Sequence, residues 1–161
     1  MTVKAVLQAL SKVKSAEGLP QDVPVIVLGG EGFIGSALRM SGNGNFYSFD
    51  ALEEKRFLAF SEKMKGEPAV LLNITKKGAL GSYTPYIWPG VVVLNEVYPE
   101  PNGKEVAEIK TMGASCYQII GVKGKAWPKF PRGYEGGIPC CASFLPDGNK
   151  EGAYDVLIKK L

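Results

Sequence analysis

Val25-Ile-Val-Leu-Gly-Gly-Glu-Gly-Phe-Ile-Gly35 decides how this chain is read. Val25–Leu28 is an apolar run with three β-branched residues, placed between Pro24 and a glycine pair, which is the pattern of a strand buried on both faces. It leads directly into Gly30-x-Gly32-x-x-Gly35, and from Phe33 the apolar spacing suits a helix. In a strand–turn–helix context that spacing is a fingerprint for holding a dinucleotide. Each glycine then has an expected duty. Gly30 permits the tight turn, Gly32 lets a pyrophosphate approach the backbone, and Gly35 lets the helix pack close on the strand. Glu31, Phe33 and Ile34 fill the positions between, and the unpaired N–H groups of the helix start are expected to face the phosphates. A glycine-rich turn that binds nothing, or another nucleotide, is the plainer alternative.

The segment after the turn fits the same reading. Phe46-Tyr-Ser-Phe-Asp50 reads as a short second strand ending in a carboxylate, at the distance where an acid accepts hydrogen bonds from an adenosine ribose. A negative charge there would repel a 2′-phosphate, so NAD is expected over NADP; Arg56, six residues further on, keeps NADP open. The competing roles for Asp50 are an ordinary solvated carboxylate and the cap of a helix over Ala51–Lys65.

Further along, helical and strand patterns alternate. Val3–Val13 is an amphipathic helix pattern, and Ser15–Pro24 is a connector. Phe33–Met40 is a short helix, cut off by Ser41-Gly-Asn-Gly-Asn45. Pro68–Ile74 and Gly90–Val97 are strands, Gly103–Met112 a helix, and Ser115–Val122 a fifth strand. Strands that are short continuous apolar runs, alternating with helices, indicate a mostly parallel sheet covered on both faces. After Val122 the pattern loosens into a long loop over 123–137. An apolar piece, Ile138–Leu145, and a terminal helix over Lys150–Leu161 complete the expected order.

Composition excludes several classes of function. A chain of 161 residues with 45% hydrophobic and 22% charged residues is an ordinary globular size and balance. The net charge of +3 comes from scattered lysines, so no nucleic-acid partner is expected. No apolar run approaches the ~20 residues needed to cross a bilayer, and the N-terminal segment reads as a helix without a cleavage site. Three cysteines without a framework spacing suit a reducing compartment, and a cytoplasmic protein is expected. Histidine is absent, which excludes His-based triads, His relays and His-ligated metals within the chain. No metal site is expected.

Four segments in serial order resemble the cofactor-binding domain of the shikimate dehydrogenase-like group. Beyond the glycine turn, Ala69-Val-Leu-Leu-Asn73-Ile-Thr75 resembles the strand ending in Asn-x-Thr that lines the nicotinamide side in that group. Asn95-Glu-Val-Tyr98-Pro99-Glu-Pro101 resembles its strand with an aromatic–proline turn, and the stretch to Gly113-Ala114 resembles the helix that follows. The resemblance covers about residues 24 to 122. It implies a Rossmann-like three-layer α/β sandwich with a mostly parallel central sheet, and a nicotinamide cofactor. The group's separate N-terminal substrate domain, with its catalytic Lys and Asp, has no counterpart in this chain. The glycine turn also resembles that of extended short-chain dehydrogenases, but no tyrosine here is followed by Lys at their Tyr-x-x-x-Lys spacing.

The expectation is thus one dinucleotide-binding domain over 1–161, with residues 1–22 as helix and connector and 123–161 appended. Its cofactor contacts are Gly30, Glu31, Gly32, Phe33, Ile34, Gly35, Asp50, Asn73 and Thr75. Lys76, Lys77, Tyr98 and Lys123 are candidates for acid–base work. For the lysine pair a solvated loop is the plain alternative, and for Tyr98 packing against the sheet edge. Cys140 and Cys141 read as small core residues of a strand rather than nucleophiles. The functional expectation is an NAD(P)-dependent oxidoreductase, or its cofactor-binding part, acting on a small carbonyl or hydroxyl substrate. Its alternative is a non-catalytic dinucleotide-binding module that senses redox state or scaffolds a protein partner. A homodimer is the expected assembly.

Overall fold

A computed structural model of the chain describes residues 2–42, 44–50, 53–76, 78–123 and 155–161. Helix α1 (Thr2–Ala16) precedes strand β1 (Val25–Leu28), helix α2 (Phe33–Met40), β2 (Phe46–Phe49) and α3 (Glu54–Met64). Then come β3 (Ala69–Asn73), the short helix α4 (Ala79–Tyr83) with a 3-10 turn over Thr84–Tyr86, and β4 (Val91–Asn95). Helix α5 (Gly103–Thr111), β5 (Ser115–Lys123) and β6 (Asp155–Lys160) follow.

The six strands form one sheet in the order β2-β1-β3-β4-β5-β6. The first five run parallel, and β6 pairs antiparallel with β5. The order explains the composition of the strands. β1, β3 and β4 have strands on both sides and helices on both faces, so every residue in them is buried. Alternation along each strand then divides the core. Val25, Val27, Val70, Leu72, Val92 and Leu94 face a layer built from α1 and α2. Ile26, Leu28, Leu71, Val93 and Cys116 face the layer of α3, α4 and α5, where Phe57, Tyr83 and Trp88 are buried. This is an α/β sandwich of three layers.

The strand β6 corrects the expected terminal helix. Tyr154, Leu157, Ile158 and Leu161 have helical spacing, but β5 is the last of the parallel strands and its side away from β4 is an open edge. Asp155–Lys160 fills that edge, and β-branched Val156 and Ile158 suit it. Lys12 on α1 secures the strand by donating to Asp155 Oδ1 at 2.6 Å and to the Val156 carbonyl at 2.7 Å. The pair α4 and Thr84–Tyr86 was not expected between β3 and β4; at five and three residues each element is too short to show a helical period. Helix α3 starts at Glu54, inside the expected Ala51–Lys65. The loop over 124–137, the apolar piece Ile138–Leu145 with Cys140 and Cys141, and Lys77 lie outside the described residues. Among the described residues no helix is long and apolar enough to cross a membrane.

Candidate functional site

Strand order places the site. From β1 the chain moves outward to β2, and from β3 it moves the other way to β4 and β5. Open parallel sheets bind ligands where the direction reverses, outside the carboxyl ends of the strands. Here that crevice lies between Gly29–Gly32, after β1, and Asn73–Thr75, after β3.

The glycine turn is tighter than its spacing alone implies. Gly29, with φ +94°, makes the turn out of β1, a duty that sequence reasoning gave to Gly30. A Cβ on Gly29 would stand 2.9 Å from Thr75 Cγ2, so the two lips of the crevice touch there. Gly30 is closed in by β2: its Cβ would meet Ser48 Oγ at 2.2 Å. Gly35 packs α2 onto the turn, as expected. Gly32 differs, since a Cβ there would meet only the Gly29 carbonyl oxygen, at 3.3 Å. Gly32 caps α2 with an extended backbone and no side-chain bond, so the helix start has no cap from within its own sequence. Phe33 is 88% exposed beside it. Glu31 is turned along the helix to pair with Arg39 at 2.9 Å, and Ile34 packs against the core on the α1 face.

Asp50 follows β2, beside the turn, because Gly29 N–H donates to the Phe49 carbonyl at 2.7 Å. Its backbone is held on both sides. The Asp50 N–H donates to Glu53 Oε2 at 2.6 Å, and the Tyr83 hydroxyl donates to the Asp50 carbonyl. The Asp50 carboxylate accepts no hydrogen bond among the described residues; Glu53 holds the cap position of α3, and Ala51 and Leu52, which a cap at Asp50 would serve, lie outside the described residues. The Asp50 N–H, and after it the Arg56 guanidinium, hold the Glu53 carboxyl below the ordinary value. Arg56 pairs with Glu53 at 2.8 Å and lies 4.7 Å over the Phe49 ring.

On the other side of the crevice the sheet ends in a row of carboxamides. Register aligns Leu28 with Asn73, Asn73 with Asn95, and Asn95 with Gln118. Asn73 Nδ2 donates to Asn95 Oδ1, and Asn95 Nδ2 to Gln118 Oε1, each at 2.7 Å. All three side chains are buried. Thr75 closes the near end, its Oγ1 donating to Asn73 Oδ1 at 2.7 Å. Asn73 and Thr75 thus close a side-chain-bonded turn at the end of β3, and the bond to β4 comes in addition to it. Gln118 was missed by sequence reasoning. The available signal was that β3 and β4 both read as four apolar residues and then Asn, with Gln118 in the matching row of β5.

Beyond these amides lies a pocket of about 450 Å³, lined by Asn73, Asn95, Lys76, Leu80, Val97 and the turn from Pro99 to Asn102. Its carboxylates are committed: Glu100 to Lys159 at 3.1 Å, and Glu105 to the Asn102 N–H at 2.8 Å in the capping box of α5. Lys76 is exposed and makes no ion pair among the described residues. Tyr98 is 88% exposed, so it does not pack on the sheet edge. Lys123 stands at the end of β5 opposite Asp155, away from the pocket lining. Cys116 faces the core, and burial pushes its thiol up to about 12, so it is no nucleophile at neutral pH. Among the described residues no group of His, Cys, Asp or Glu side chains could hold a metal ion. No protein-family model matches the chain, and no curated protein matches it in sequence.

Proposed function

We propose that this chain binds a nicotinamide dinucleotide across the crevice between β1 and β3, as a Rossmann-like cofactor domain, with NAD(H) preferred over NADP(H). One observation carries the reading: a helix start at Gly32 without a side-chain cap, next to the Asp50 carboxylate, which has no partner among the described residues. The pyrophosphate would lie on the N–H groups of residues 33–35, since the Gly32 N–H donates to the Gly29 carbonyl, and the adenosine ribose would donate to Asp50. The nicotinamide end then passes over Thr75 and Asn73 towards the pocket. When bound, the cofactor supplies hydride chemistry, and the chain's own residues orient it. The strand order β2-β1-β3-β4-β5 also serves mononucleotide sites at the same reversal. Glycine spacing and the acid after β2 favour the dinucleotide.

The reaction class under this reading is oxidoreduction of a small carbonyl or hydroxyl compound. A non-catalytic binding module is favoured by a separate observation. Of the described candidates, only Lys76 lies at the pocket, and no carboxylate or hydroxyl is arranged with it as an acid–base pair. Calorimetric titration with NAD⁺, NADH, NADP⁺, NADPH and FMN tests the proposal, with Gly32→Ala alongside. Gly32 has φ −70°, so alanine fits the backbone while its methyl group covers the helix start. Saturable NAD(H) binding that Gly32→Ala removes without lowering the Tm supports the reading. Binding of FMN alone, or of none of the five, refutes it.

A further inference from the structure

Asn73, Asn95 and Gln118 are locked in one orientation. An isolated Asn or Gln side chain can rotate by half a turn and exchange its donor for its acceptor. Here the far end of the row faces two backbone carbonyls. Gln118 Nε2 is 3.0 Å from the Ile119 oxygen and 3.4 Å from that of Val97, and both oxygens only accept. Gln118 must turn its amino group to them and Oε1 to Asn95. Asn95 Nδ2, also 2.6 Å from the Val97 oxygen, is fixed in turn, and Asn95 Oδ1 is left to receive Asn73 Nδ2. Asn73 Oδ1 then faces Thr75, whose backbone N–H can only donate. Both ends of the row demand the same orientation.

Asn73 keeps one group in reserve. Thr75 N–H and Oγ1–H take both lone pairs of its Oδ1, and Asn95 takes one of its two N–H groups. The second N–H has no acceptor among the described residues. Asn73 is 2% exposed and lines the pocket, so this is a buried donor left unspent at the pocket wall. Flipping the amide would set N–H against the Thr75 N–H and oxygen against oxygen at Asn95. At this point the pocket presents a donor only.

We propose that Asn73 determines specificity at the nicotinamide end by donating this N–H to the carbonyl oxygen of the ring's carboxamide, its orientation held from both ends of the row. The inference rests on the dinucleotide reading above. An adenosine at β2 and a pyrophosphate at α2 direct the other end of the ligand over β3 and β4, where the pocket lies. Lys76, cationic at the same wall, also favours an acceptor.

The test is calorimetric titration of the full chain with ADP-ribose, NAD⁺, acetylpyridine adenine dinucleotide, which keeps the carbonyl and lacks the amine, and aminopyridine adenine dinucleotide, which has only a donor. The acetylpyridine analogue is expected to bind within about twofold of NAD⁺, and the aminopyridine analogue about tenfold more weakly. Asn73→Asp, which puts an acceptor where the donor stood, is expected to abolish that discrimination, with the Tm read alongside. Equal binding of the two analogues by the wild-type chain overturns the role of Asn73, even with NAD⁺ and ADP-ribose both bound. Full discrimination retained in a folded Asn73→Asp chain overturns the assignment of the donor to Asn73. If neither ADP-ribose nor any dinucleotide binds, the dinucleotide reading fails and this inference with it.

Discussion

Gly35 lies so close to Gly30 that a Cβ on Gly35 would stand 2.5 Å from both the Cα and the carbonyl oxygen of Gly30. This contact seats the start of α2 on the turn out of β1, and Gly30 is itself pressed against Ser48 of β2. Two of the three glycines in the fingerprint are thus required by the protein's own packing. At Gly32 a Cβ would meet only the Gly29 carbonyl oxygen, at 3.3 Å, so the three positions can be separated by experiment.

Gly35→Ala must push α2 off the turn, because the obstructing atoms are backbone. Overpacking of this kind costs about 1–3 kcal/mol, which lowers the Tm of a chain this size by several degrees. Gly30→Ala should behave alike, and Gly32→Ala should leave the Tm near wild type. Differential scanning calorimetry of the three variants checks the order. A Gly35→Ala protein as stable as wild type would show that α2 is not seated as described.

The Asn73–Asn95 bond makes a second, independent demand on stability. Asn95→Leu removes the acceptor of Asn73 and the donor to Gln118, both buried, and the donor to the part-buried Val97 carbonyl. Orphaned buried groups cost far more than the net value of one hydrogen bond, and a loss of about 2–4 kcal/mol is expected. Urea unfolding should show it as a lower midpoint at unchanged slope. Replacing all three amides together with apolar residues of similar size should remove the mismatches within the row and leave only the end partners, at Thr75, Val97 and Ile119, without these bonds.

These two features differ in how far the sequence displays them. Strands such as Val25–Leu28 and Val91–Asn95 are legible because a buried parallel strand is a continuous apolar run. The Gly30–Gly35 contact is legible because backbone proximity demands glycine at a fixed spacing. The carboxamide row is not, because Asn73, Asn95 and Gln118 become neighbours only through strand order and register, and no local spacing records these. The same limit hid β6. Asp155–Lys160 has a pattern compatible with a helix, and only the open edge of β5 makes it a strand.

Glu17 ties the end of α1 to the two last strands and should give stability an acidic limit. Its Oε1 accepts from Lys160 Nζ at 2.8 Å and from the Tyr117 hydroxyl at 2.5 Å. These bonds, Lys160 first, hold the Glu17 carboxyl below its ordinary 4.5. A carboxylate with a depressed pKa contributes in full above its unfolded value and loses that contribution as pH falls through the folded one. The Tm difference between wild type and Glu17→Gln should therefore be constant above about pH 5.5 and vanish in the range below 4.5. Because Lys160 is exposed, added salt should reduce the difference at neutral pH. A difference that grows on acidification would contradict the assignment.

Cofactor preference should turn on Asp50 rather than on Arg56. The Arg56 guanidinium is held by Glu53 at 2.8 Å, but its side chain is 61% exposed, and such a pair contributes at most about 1 kcal/mol. A 2′-phosphate could recruit Arg56 at little cost, so under the proposed dinucleotide reading the Asp50 carboxylate is what would oppose NADP(H). Asp50→Ala is expected to weaken NAD(H) binding about tenfold, through lost charge-assisted hydrogen bonds. In the same variant NADP(H) should bind more tightly than to wild type. Adding Arg56→Ala should cancel the gain for NADP(H) without a further effect on NAD(H). Dissociation constants for the four cofactors with wild type and the two variants decide it. NAD(H) affinity that Asp50→Ala leaves unchanged would remove Asp50 from the site.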